Sequence, residues 1–153
     1  MKLWVDSEAI GSAGRSVRLK VSEMTADINR KVLSRAYRSV QAMRDAELRV
    51  LKGQRSGRKY RKPFTKHASY HASAPGEPPA RRTGNLHMHW NDQVKARGMA
   101  RGGITVIAEL ESQEPYASHL ENGTSKMAAR PFVEKIKEEA APEIRKIYEE
   151  PYA

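Results

Sequence analysis

The chain has 153 residues, 39% hydrophobic and 30% charged, with a formal net charge of +10. It holds no cysteine, which excludes disulfides, cysteine-ligated zinc and a thiol nucleophile. No run of about 18 apolar residues is present, so no membrane contact is expected. The length suits one domain, 1–153, able to bury a core without covalent staples.

The start of the chain lacks the apolar core of a signal peptide, and synthesis in the cytoplasm is expected. Charge is unevenly spread. Residues 1–108 hold 22 Lys and Arg against 8 Asp and Glu, a net +14, and residues 109–153 hold 6 against 10, a net −4. Between Glu47 and Glu77 there is no acidic residue, only Arg49, Lys52, Arg55, Arg58, Lys59, Arg61, Lys62 and Lys66. Such a block implies a polyanion, an acidic protein neighbour or simple solvation.

Lys2–Val5 reads as a short strand and Asp6–Arg15 as polar and glycine-bearing. From Ser22 the pattern is helical: Ile28, Val32, Ala36, Val40 and Met43 recur at three and four, widened by Leu33, Tyr37 and Leu51. Ser22 or Thr25 is placed to cap this helix, Glu23 and Asp27 suit its first turn, and Lys52 and Gly53 suit its end. At 1.5 Å per residue the stretch from Ser22 to Leu51 spans about 45 Å. A domain of this size is about 40 Å across, so the helix is expected to overhang it.

Residues 53–79 show no period and read as a long basic loop, of a length that is usually functional. Thr83–Trp90 reads as a helical turn capped by Thr83. Val94–Arg97 and Ile104–Leu110 read as strands, with Gly98, Gly102 and Gly103 between them. Tyr116, Ala117 and Leu120 have helical spacing, and Gly123 sits where that helix would stop. Thr124, Ser125 and Lys126 form a polar corner. Arg130-Pro131-Phe132 restarts the chain, with Pro131 suited to the first helical position. In the last helix, Phe132–Tyr148, the residues Val133, Ile136, Ala140, Ile144 and Ile147 form the stripe, and Pro142 predicts a kink or a break. The fold class is α+β: a long N-terminal helix, a small antiparallel sheet and a C-terminal helix packed on it.

Three groups of side chains carry candidate chemistry. His67 and His71 are four apart and His87 and His89 two apart, which suits a divalent metal, but Glu77 and Asp92 are the only carboxylates near them in sequence. Exposed imidazoles, with no metal or cofactor, are the favoured reading. Glu121 is expected to hydrogen-bond the backbone near Gly123 and Thr124. There is no glycine-rich phosphate loop and no GxSxG elbow, and no enzymatic activity is expected. In the basic loop Tyr60, Phe64 and Tyr70 interleave with the cations. Arg55, Arg58, Lys59, Arg61, Lys62 and Lys66 are the candidate contacts, to phosphates or to a protein partner on which the loop orders.

Two segments together resemble the tail-completion (neck, or minor tail) proteins of long-tailed bacteriophages. The first is Pro75-Gly76-x-Pro78-Pro79 followed by Thr83, Gly84 and Leu86. The second is Tyr116-Ala117, Glu121, Gly123-Thr124 and Arg130-Pro131-Phe132. The match covers about the C-terminal half. Asn122 departs from the aromatic or aliphatic residue usual in the family, and Arg82 from a common acidic one; these bear on the packing of the corner and on a local charge contact. The resemblance implies a structural virion protein, located in the tail or neck and assembled in the host cytoplasm. Its copies would form a homo-oligomeric ring joining the tail tube to the head-side connector. Its partners would be connector and tail proteins, with weak contact to genome DNA in the channel. Apart from the resemblance, a sequence-nonspecific DNA-binding protein and, last, a histidine-dependent metal nuclease stay open.

Overall fold

The computed structural model describes residues 13–99 and 102–152, with side chains from Lys20 onward. The strand expected at Lys2–Val5 lies outside the described residues. Helix α1 runs Ala13–Lys52, 40 residues, or about 60 Å. It stops before Gly53 as expected but does not start at Ser22. The preceding residues include no proline and several good helix formers, so nothing halts the helix there. Thr25 lies inside it and donates its hydroxyl back to Val21 O at 2.9 Å instead of capping.

The basic loop contains a small ribbon. Strands β1 (Lys59–Arg61) and β2 (Ser69–His71) pair antiparallel, with Tyr60 opposite Tyr70. The four-residue helix α2 covers Asn85–Met88. Its cap position is Gly84, and the Thr83 hydroxyl sits a long 3.5 Å from Asn85 N, so the expected Thr83 cap is replaced. Strands β3 (Trp90–Gly98) and β4 (Ile104–Ser112) form a second antiparallel ribbon in unbroken register, from Trp90 opposite Ser112 to Gly98 opposite Ile104. In β4, Ile104, Val106 and Ala108 turn inward while Thr105 and Ile107 face solvent. Helix α3 is Ala117–Asn122 and helix α4 is Val133–Glu149.

Helix α4 packs across the C-terminal half of α1 and onto Trp90 of the second ribbon. The core gathers Ala46, Leu51, Phe132, Ile136 and Ala140, edged by Met43, Val50, Leu86, Trp90 and Ile144. Alanines at positions 36, 42 and 46 of α1 are buried and leave room for the crossing helix. Pro142 does not break α4, which runs uninterrupted. The donor it removes would bond Glu138, which is exposed and open to water, while Ala140 and Ile147 stay buried on either side.

The chain after α4 continues along α1 toward its start. Arg38 grips the Glu150 carboxylate with both terminal nitrogens, and the Arg35 guanidinium lies 3.6 Å from the centre of the Tyr152 ring. Burial of α1 fades toward its start: Val21, Met24 and Ile28 are exposed. The second ribbon reaches this region at its turn, where Asn29 donates to Gly102 O at 3.0 Å.

Candidate functional site

After α3 the chain makes a tight corner. Gly123 ends the helix at φ 76° and ψ 179°. That region is open in practice to glycine alone. Space is closed as well: a Cβ here would lie 2.8 Å from Ala129 N and 2.9 Å from Met127 O. Thr124 N donates to Met127 O at 2.8 Å, the Thr124 hydroxyl accepts from Lys126 N at 3.3 Å, and Arg130 N donates to Leu120 O at 2.7 Å. The corner is thereby pinned at both sides.

Glu121 bonds further away than expected. Its Oε2 accepts from Phe132 N at 2.8 Å and from Val133 N at 3.1 Å, not from the Gly123–Thr124 backbone. A carboxylate from one helix thus caps the next, satisfying two donors that open α4 and facing its positive end. Because those donors mark the start, Phe132 is the cap residue and Pro131 stands just outside, not at the first helical position. Phe132 is 1% exposed and meets Trp90 edge-on at 6.2 Å.

The upstream segment locks onto this corner. Gly76 N donates to Ala129 O at 3.1 Å, Lys135 Nζ donates to Gly76 O at 3.0 Å, and the Arg130 guanidinium donates to Ser73 O. Pro78 and Pro79 are buried, and Arg55 holds them from the other side. Its Nε donates to Pro78 O at 2.6 Å and its Nη2 to Val50 O at 2.7 Å and Pro79 O at 3.2 Å. Arg55 is therefore not a solvent-facing contact residue. This cation packs on its own domain because backbone carbonyls serve where carboxylates are lacking. Burial pulls its pKa down. Beside it Glu77 accepts from the Ser56 hydroxyl, Ala74 N and Ser56 N, and those hydrogen bonds, the hydroxyl first, hold its carboxyl at about 2.

Between the two segments lies a cavity of about 550 Å³. Pro79, Thr83, Gly84, Leu86, Tyr116 and Arg130 all line it. Residues more than 30 positions apart in the chain thus share one wall. Burial and the Glu114 carboxylate raise the Tyr116 phenol.

Behind the cavity is a pair that sequence reasoning missed. Glu47 is 0% exposed, with Arg44 Nη1 at 2.6 Å and His87 Nδ1 at 3.6 Å. Neither Glu47 Oε1 nor His87 Nδ1 has a hydrogen-bond partner among the described residues. Desolvation raises Glu47 to about 7 and lowers His87. The signal was available: Glu47 stands four residues after Met43 and seven after Val40, inside the apolar stripe.

No family model, no curated protein and no solved structure matches the chain. The functional reading rests on the residues themselves.

The histidines are spread over separate partners. His71 Nδ1 lies 3.0 Å from Gly57 O, His87 faces Glu47, and His89 meets the Glu114 carboxylate. Among the described residues no three His, Asp or Glu gather as a metal set. Arg58, Lys59 and Lys66 are exposed, and Arg61 folds back onto Thr65 O at 3.2 Å and onto Lys66 O. With Lys62 they make a basic hairpin whose aromatic rings, Tyr60 and Tyr70, stand 6.1 Å apart.

Proposed function

We propose that this chain is a structural subunit of a bacteriophage neck, a tail-completion protein whose copies ring the DNA channel and join the tail tube to the head-side connector. The observation that carries this reading is the locked corner. The two segments that resemble the family are distant in sequence, yet Gly76–Ala129, Arg130–Ser73 and Lys135–Gly76 tie them into one unit. The residues of the resemblance serve as scaffold: a glycine stop, a carboxylate cap and a buried ring. An overhanging helix and two regions of opposite charge suit a subunit that meets its neighbours through two different faces. The reading assigns the chain no catalytic role, and its location is the virion.

Electron microscopy tests it. The purified protein, alone and mixed with connector and tail-tube proteins of the same particle, is expected to form closed rings or to add a ring at the joint. A monomer that associates with neither, at any salt, overturns it.

A second reading, a sequence-nonspecific DNA-binding protein, draws on the basic hairpin with its paired tyrosines. It requires a monomer whose affinity for duplex of any sequence falls steeply with salt, since released counterions would supply the binding.

A further inference from the structure

We infer that the hairpin tip of one copy, anchored by Phe64, seats in an apolar groove between α3 and α4 of the next copy. This rests on the assembly reading above and specifies its contact.

The tip is built to protrude. Phe64 is 103% exposed, and at φ 60° it is the only non-glycine residue with positive φ among the described residues. A bulky side chain in that conformation is disfavoured, and the ring itself is fully exposed among the described residues. The turn around it is nevertheless well tied: Lys62 N donates to Ala68 O at 2.8 Å and the Thr65 hydroxyl to Lys62 O at 3.0 Å. An exposed ring held out on a closed turn has the form of an anchor, the kind of rigid aromatic that dominates binding when it enters a desolvated pocket.

The receiving surface is present on the same molecule. A groove of about 870 Å³ runs beside α4, its half-exposed apolar wall made by Met43, Trp90, Leu110 and Ile144 over the buried Phe132, Ile136 and Ala140. It has room for an aromatic side chain and the turn that carries it. Anchor and groove lie on different sides of α3. Tyr70 of the hairpin borders the cavity with Tyr116 and Leu120, whereas Ala117, Ser118 and Glu121 border the groove. A contact between unlike faces is heterologous, the kind that builds a ring when its rotation closes and a filament when it does not.

Charge favours the same pairing. From Arg58 to His71 there are five Lys and Arg and no Asp or Glu, while residues 109–153 carry a net −4. Lys137 and Arg145 stand on the groove with Glu111 and Glu121, two cations against two carboxylates, so attraction comes from the whole C-terminal part and the groove supplies the apolar seat.

Two variants test the contact. Phe64→Gly removes the ring and suits the positive φ. Ala141→Trp fills the groove from an exposed position of α4. Mass photometry or sedimentation is expected to show at least tenfold weaker self-association for each, with unchanged or higher Tm for Phe64→Gly. An equimolar mixture retains one intact anchor and one intact groove, and is expected to give heterodimers and nothing larger. If both variants assemble like the wild type, this contact is wrong while the ring reading stands. A wild type that remains monomeric both alone and with connector and tail-tube proteins overturns both, and loss of DNA affinity in Phe64→Gly would then assign the tip to nucleic acid.

Discussion

Replacing Gly123 by alanine is expected to destabilise the fold far more than the same change at Gly76, although both glycines have positive φ. At Gly76, φ 80°, an added Cβ meets nothing within 4 Å, so only the backbone preference is lost, about 1 kcal/mol. At Gly123 the glycine-only conformation costs about 1–3 kcal/mol. The methyl would also press on Ala129 N and Met127 O, which are backbone and can yield only by opening the corner. Opening it weakens Thr124 N–Met127 O and Arg130 N–Leu120 O, each worth about 0.5–1.5 kcal/mol. The total is about 2–6 kcal/mol. At roughly 2–4 °C per kcal/mol for a chain of this size, Gly123→Ala lowers Tm by on the order of 10 °C and Gly76→Ala by a few degrees. Thermal and urea denaturation at concentrations where the chain is monomeric measure both. Equal shifts would show that the close approach to Ala129 has no energetic weight. No shift in either would reduce the corner to a tether.

Phe132→Ala, which empties a fully buried site beside Trp90, should cost about 3–5 kcal/mol in urea denaturation; a cost below 1 kcal/mol would mean that the ring is not part of the cooperative core. Glu47 links stability to pH. Its folded pKa is raised to about 7, so the native state holds the proton more tightly than the unfolded chain, and stability is lost as pH rises from the ordinary carboxylate range through about 7, by on the order of 3 kcal/mol. His87, lowered, acts in the opposite sense below 6.5 and offsets part of that fall. Glu47→Gln is expected to flatten that fall, and an unaltered slope would assign it elsewhere. Neutralising Arg58, Lys59, Arg61 and Lys62 together should leave Tm unchanged and give particles that fail at the head–tail joint. Normal particles that deliver the genome poorly would point to DNA instead, and normal infectivity to a solvated hairpin.

Much of the architecture is legible because it repeats locally. The stripe of Val32, Ala36, Val40 and Met43, the alternation of Ile104 to Ala108, and the stop at Gly53 each follow from period or backbone chemistry. Other features depend on partners that no local window contains. Strands β1 and β2 are three residues each and mostly exposed, with no apolar alternation to announce them. The start of α1 was misplaced because good capping residues, Ser22 and Thr25, also fit inside a helix. Glu121 was recognised as a hydrogen-bonding carboxylate, but its acceptor role is settled by a chain reversal that returns Phe132 and Val133 to it. Arg55 looked like one more cation in a run, and only the approach of the Pro78–Pro79 carbonyls distinguishes it.

That arginine has a mechanical consequence. One guanidinium holds Val50 O in the last turn of α1 and, with its other donors, the carbonyls of Pro78 and Pro79. The strand pair between them leaves and re-enters the body through the same small knot. A load on the hairpin is therefore transmitted to the end of α1. In single-molecule pulling from the tip, the first yield should be release of Arg55, which frees the hairpin while the end of α1 stays in the core.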